Sequence, residues 1–269
     1  MLKNMTGYVY VTLLLLVLIA LGFVLSGGII LSDDSASTIE STERYTIADT
    51  GTIPSNPTLQ LSTLDFVPQV CGGGGYDIAL VIDISGSVSP YLSEIRVALI
   101  SFVEAFSDKS TQFSVTKFDD KATKIIPEFT DDLNKVITEI NSLSGRGGYT
   151  NWQDAFVKAK ETLNSTSNRP SVKDLVVFAS DGEPNRTGEN GDFATLDTAV
   201  NNAVDVADEI KEAGARIITF GIGSGVKEQN LQAISGSNPE VVGDVNVILT
   251  NFANLGTDLQ SLTANICGP

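Results

Sequence analysis

Beyond Gly75 the chain alternates short, uninterrupted apolar runs with longer amphipathic stretches, and this alternation leaves few folds open to it. Apolar runs bounded by turn residues read as buried strands, and their alternation with helical patterns implies a parallel sheet wrapped by helices. Strands are predicted at Tyr76–Ile82, Gln112–Phe118, Thr123–Ile126, Asp174–Ala179, Ala215–Ile222 and Asn246–Leu249. Helices are predicted at Pro90–Phe106, Asp131–Leu143, Asn151–Leu163, Phe193–Ala213, Lys227–Ile234 and Phe252–Ile266. The short third strand follows the second across Asp119-Asp120-Lys121 and reads as an antiparallel edge hairpin. The expected fold is therefore α/β and doubly wound, with a mostly parallel six-stranded sheet and one antiparallel edge strand. Ser89 before Pro90 resembles an N-cap with proline at the first helical position, and Gly214 suits the stop of the fourth helix.

Two of the apolar runs end in acids. The first, from Asp77 to Ile82, delivers Asp83, Ser85 and Ser87, three oxygen-bearing side chains at alternate positions just ahead of a helix. Open α/β sheets bind ligands in the crevice beyond the carboxyl ends of their strands, where these three are expected. The second run, from Asp174 to Ala179, leads to Asp181, and Gly147-Gly-Tyr-Thr-Asn offers Thr150 ahead of another helix. If the strands carrying Asp83 and Asp181 are neighbours, both acids emerge at one sheet edge and the Thr150 loop closes over them. Hard oxygen donors of this kind suit Mg²⁺ or Mn²⁺.

Each residue also has a plainer role open to it. Asp and Ser are common turn and cap residues at strand ends, and Thr150 alone serves equally as a cap for the helix near Asn151. Glu183 and Asn185 read as rim residues, Asp119 and Asp120 as turn residues, and Trp152 as either an exposed contact or packing for a helix start. Gly72 to Gly75 precedes a strand instead of joining a strand to a helix, so it is no phosphate cradle.

Composition removes other chemistries. The chain has no histidine, which excludes Ser-His-Asp and Cys-His mechanisms, and two cysteines cannot build an ordinary zinc site. A formal charge of −16 opposes binding to nucleic acid. Cationic partners, or partners bridged by a metal, are easier to accommodate.

The segment ahead of the strands divides in two. Tyr8 to Leu31 carries no charge, and as a helix it would be roughly 36 Å long, enough to cross a hydrocarbon core of ~30 Å. Residues 1–31 are thus expected to be a single-pass anchor contacting the membrane. Lys3 on one flank and Asp33, Asp34, Glu40 and Glu43 on the other put the N-terminus in the cytoplasm and the C-terminal domain outside. A cleaved signal peptide, and so a secreted protein, is the alternative. Residues 32–70 are rich in Ser and Thr, with scattered acids and prolines, and read as a flexible stalk spanning about 35 Å, leaving 71–269 as the folded domain.

The order Asp83-Ile-Ser85-Gly-Ser87, then Thr150 in a Gly-rich loop, then Asp181 resembles the metal-ion-dependent adhesion site of the von Willebrand factor type A family. The resemblance covers residues 71 to 269 and implies that family's Rossmann-like fold. It implies Mg²⁺ (or Mn²⁺) held directly by Ser85, Ser87 and, in the ligand-competent state, Thr150, with Asp83 and Asp181 acting largely through water. It further implies a protein partner whose Asp or Glu carboxylate completes the metal. Some family members resemble this chain in having cysteines that flank the domain, and Cys71 and Cys267 bracket it here. We read them as a disulfide that tethers the last helix and contributes about 5 kcal/mol through loop closure.

Three function classes follow: an anchored binding or adhesion module, a structural or assembly subunit of an envelope complex or pilus, and a Mg²⁺-dependent hydrolase or phosphotransferase. The last resembles haloacid-dehalogenase-like phosphatases, whose Asp-x-Asp is here Asp83-Ile-Ser85, lacking the second acid.

Overall fold

Every residue of the first strand, β1 (Tyr76–Asp83), is buried, which puts it at the centre of the sheet. A strand covered on both faces can carry an unbroken apolar run, whereas a half-exposed one alternates. In the computed structural model, which describes residues 75–267 apart from 108, 146 and 237–245, β1 pairs in parallel with β2 (Gln112–Phe118) and with β4 (Lys173–Ser180). The full order is β3-β2-β1-β4-β7-β8, where β3 is Ala122–Thr130, β7 is Arg216–Ile222 and β8 is Val247–Thr250. Only β3 runs antiparallel, against β2. The expected doubly wound sheet of six strands, with one antiparallel edge strand, is therefore present.

Among the described residues six α-helices cover the two faces: α1 (Leu92–Glu104), α2 (Leu133–Asn141), α3 (Trp152–Leu163), α4 (Leu196–Glu212), α5 (Glu228–Ser235) and α6 (Leu255–Cys267). Their buried residues recur three and four apart, as Ile95, Leu99, Phe102 and Val103 do on α1, so each buries one stripe. One core joins α1, α2 and α6 to Ile78, Leu80 and Ile82 of β1. The other joins α3, α4 and α5 to Ala79 and Val81, the alternate residues of the same strand.

Strand order reverses at β1, with β2 on one side and β4 on the other. Crossovers to opposite faces leave a crevice at the carboxyl ends of these two strands. Asp83 ends β1, and Asp181 follows β4 directly.

Several boundaries differ from expectation. Proline at the start of α1 produces a separate 3-10 turn, Ser89–Tyr91, and Ser89 caps nothing; the α-helix begins at Leu92. Strand β3 runs on through Pro127 to Thr130, because an edge strand can spare the missing donor. Phe193 does not start α4; it belongs to a two-stranded ribbon, β5 (Arg186–Thr187) with β6 (Asp192–Phe193). Thr195 caps α4 by accepting from Thr198 N.

The single-pass placement with a cytoplasmic N-terminus is corrected here. No helix among the described residues is long and apolar enough to cross a membrane, and Tyr8 to Leu31, on which that expectation rested, lies outside them. The stalk at 32–70 also lies outside, as does Cys71, so the pairing with Cys267 at the end of α6 falls beyond the described residues.

Strand β1 carries a buried acid near each end, and the lower one is neutralised within the fold. Asp77 is fully buried, and its Oδ1 accepts from Arg169 Nε at 2.8 Å and Nη2 at 2.6 Å, while Oδ2 accepts from Arg169 N at 2.8 Å. The same guanidinium donates to the carbonyls of Tyr76 and Ser110. Removing one partner of a buried pair strands the other's charge. Arg169→Ala should therefore lower the unfolding free energy by about 3–5 kcal/mol in urea denaturation, and adding Asp77→Asn should restore part of it.

Candidate metal centre

Asp83 at the other end of β1 meets no such cation. It is 2% exposed; its Oδ2 accepts from Ser180 Oγ at 2.6 Å and its Oδ1 from Ser85 N at 2.8 Å. Burial pushes its carboxyl up to about 7, against the lowering pull of the Ser180 and Ser85 hydrogen bonds, and the charge of Asp181 adds to the rise. No cation among the described residues offsets it.

The other expected residues gather around it. Ser85 Oγ lies 3.4 Å from Ser87 Oγ, and Ser87 Oγ donates to Asp181 Oδ1 at 2.8 Å. Burial raises the Asp181 carboxyl too, against the lowering effect of the Ser87 hydroxyl. Thr150 is buried, and a Cβ built on Gly182 would stand 4.0 Å from its Oγ1, which sets the hydroxyl beside the Asp181 loop. Gly86 N donates to Gly148 O at 3.3 Å, joining the first loop to the second. All five side chains thus come from three loops at one sheet edge. No group of three or more His, Cys, Asp or Glu among the described residues could hold a metal, so any cation here would depend on hydroxyls as well as on two acids.

The helix cap decides what Thr150 is free to do. Asn151 caps α3, its Oδ1 accepting from Asp154 N at 3.1 Å, so the Thr150 hydroxyl is not spent on that helix. The backbone of Thr150 is fixed from the loop after β4: Asn185 Oδ1 accepts from Thr150 N at 3.1 Å, and the N–H groups of Asn185 and Arg186 donate to Thr150 O.

Ser180 escaped the sequence reading, and the structure decides between the roles open to Trp152 and enlarges that of Asp120. Ser180 holds Asp83, and Trp152, fully buried, donates from Nε1 to Ser180 Oγ at 3.3 Å; the indole is therefore packing for the helix start and no exposed contact. Asp120 is more than a turn residue, because its Oδ1 accepts from Tyr149 N at 2.8 Å and so grips the Thr150 loop. Ser180 immediately precedes Asp181, but its role needs the register that sets Ile82 beside Ala179. Glu183 is turned to α5, accepting from Lys227 N at 2.6 Å and Asn230 Nδ2 at 2.7 Å.

A profile of the von Willebrand factor type A domain matches residues 77–263. The chain belongs to that family. The thrombospondin-related anonymous protein of Plasmodium falciparum is 25% identical over 187 residues, which cover 65% of this chain. The matched stretch spans only 31% of that relative's length. Among solved structures, the von Willebrand factor domain of the type V pili tip protein Mfa5 from Porphyromonas gingivalis has a TM-score of 0.61 at 14% identity, covering 72% of this chain and 95% of its own. Proximal thread matrix protein 1 from the mussel byssus, described with a zinc-occupied metal-ion-dependent adhesion site motif, has a TM-score of 0.58 at 23% identity, covering 74% of this chain and 47% of its own. At these identities the structural likeness establishes a shared von Willebrand factor type A fold.

In this member the acid ending β1 binds a proton more tightly folded than unfolded. Stability from this group is fully present below its ordinary pKa of 3.8 and is lost as pH rises through about 7. In chelator, wild-type stability should fall across that window relative to Asp83→Asn by on the order of 4 kcal/mol. Parallel urea titrations of the two proteins at pH 4 and pH 8 check this.

Proposed function

We propose that this chain is a binding module that holds a divalent cation, Mg²⁺ or Mn²⁺, through Asp83, Ser85, Ser87, Thr150 and Asp181, and uses it to recognise a protein partner offering an Asp or Glu carboxylate. The observation that carries this reading is the contrast between the two buried acids of one strand. Asp77 has Arg169, whereas Asp83 has only uncharged partners, the hydroxyls of Ser180 and Ser85 and the Ser85 amide, and faces the charge of Asp181. A buried carboxylate without a cation is costly, and an external dication at the crevice would offset that cost.

The donor set supports the partner as well. Two carboxylates and neutral hydroxyls leave a dication able to take a further negative oxygen, and its role would be to supply that attraction. The protein's own residues orient and hold: Ser180 and Ser85 N fix Asp83, Asn185 fixes Thr150, and Ser87 meets Asp181. Turnover is not favoured by these residues. Ser85 stands where a phosphatase of the haloacid-dehalogenase type would need a second acid, and the chain has no histidine to serve as a base. A metal-occupied site of this kind in the mussel relative agrees with the reading.

Calorimetric titration of the full-length chain with Mg²⁺ at pH 8 should give saturable uptake at one site. Asp83→Ala should abolish that uptake, and Ser87→Ala should weaken it at least tenfold. Absence of saturable uptake by the wild-type chain, with Mg²⁺ or with Mn²⁺, would overturn the proposal.

A further inference from the structure

Five large apolar side chains stand exposed among the described residues: Tyr91, Val97, Tyr149, Phe193 and Leu249. Tyr91 is already stacked on Phe252, with ring centroids 4.0 Å apart and planes 8° from parallel. Tyr149 and Phe193 are different, because they meet each other at the edge of the candidate metal centre. Their rings are 5.2 Å apart and 71° from parallel, yet they remain 44% and 70% exposed.

The two rings are mounted on a buried cation. Arg186 Cζ lies 3.2 Å from the centre of the Phe193 ring and 4.1 Å from that of Tyr149, and the Arg186 side chain is only 11% exposed. Asp120 Oδ1, 3.7 Å from Arg186 Nε, balances the charge from beneath. The ribbon pairs Arg186 with Phe193, and a Cβ on Gly191 would come within 2.6 Å of Asp120 O, so the ribbon is pressed against the Asp119-Asp120 turn. Tyr149 is held by its N–H on the same Asp120. The outcome is a pair of rigid aromatic faces turned to solvent, the kind of side chain that supplies contact area at low entropic cost.

The patch is continuous with the metal centre. Tyr149 is the residue before Thr150, and Arg186 N donates to Thr150 O at 3.1 Å. Its charged surroundings also select. Asp119, Asp120, Glu189 and Asp192 lie on or beside the ribbon and the turn it presses on; Arg186 faces Asp120 and Lys158 faces Glu189, while Lys121 is the one further base in these segments, so acids outnumber bases. A run of acids would be repelled there. An apolar side chain next to a single carboxylate, with a basic residue beyond it, matches both the rings and the acids.

Resting on the function proposed above, we infer that Tyr149 and Phe193 form a specificity subsite that takes an apolar side chain flanking the partner's metal-directed carboxylate, with a Lys or Arg beyond it. The partner is thus a protein segment with a lone acid among apolar and basic residues.

A peptide display library with one fixed Asp and four randomised positions on each side tests this against the full-length chain in Mg²⁺, with elution by chelator. Selected peptides should carry Leu, Ile, Met or an aromatic within two residues of the Asp, and more Lys and Arg than Asp and Glu elsewhere. Phe193→Ser should weaken a selected peptide at least fivefold and leave Mg²⁺ affinity within twofold, and Phe193→Leu should recover most of the peptide binding. Peptides that need Mg²⁺ and the fixed Asp but show no apolar preference, or that bind Phe193→Ser unchanged, would overturn the subsite alone. Loss of Mg²⁺ uptake in Phe193→Ser would overturn it too, since Phe193 would then act through Thr150. No Mg²⁺-dependent selection over Asp83→Ala would overturn both the subsite and the function on which it rests.

Discussion

A carboxylate buried at the end of the central strand, with hydrogen bonds but no cation, is the constraint around which the upper edge of this domain is organised. Ionised Asp83 needs its remaining field satisfied, and the fold supplies two serine hydroxyls, an amide and the repulsion of Asp181. Those groups are themselves braced. Trp152 holds Ser180 from the core of the opposite face, so a helix packed on the sheet fixes the orientation of a carboxylate at its rim. The cost of that arrangement is relieved when Asp83 takes a proton, and under the proposed function a dication would relieve it instead.

Sheet topology makes the gathering possible. Because strand order reverses at β1, the loops after β1 and β4 open side by side, and the Gly148 loop ahead of α3 reaches across to bond Gly86. The lower end of the same strand needs no opening. There Arg169 enters from the segment before β4 and closes the charge with a forked set of hydrogen bonds. One strand thereby carries one buried acid with a cation and one without, and the difference lies in a single arginine.

The ribbon after β4 links the Asp83 end of the strand to its surroundings. Asn185 and Arg186 bond the backbone of Thr150, and the guanidinium of Arg186 packs in the corner between the Tyr149 and Phe193 rings. Contacts that brace a candidate ligand residue therefore also present an apolar surface beside it. Family membership accounts for the crevice, while this pairing of rings is read from the particular residues of this chain.

What the sequence by itself determined was periodic. Unbroken apolar runs made buried parallel strands, three- and four-residue spacing made the helices, and Asp83, Ser85, Ser87 and Asp181 after two such runs, with Thr150 in a Gly-rich loop, marked five oxygen donors whose meeting waited on β1 and β4 being neighbours. Such patterns are legible because burial acts on every residue of an element in turn. Tertiary structure alone decided the rest. Phe193 continued a helical pattern in the sequence but was drawn into a ribbon by pairing with Arg186, and Ser180 acquired its partner only when β1 and β4 came into register. Trp152 was either a contact or packing until the second core closed over it. These outcomes depend on contacts between residues far apart in the chain, and local propensity carries no record of a partner that only folding brings within reach.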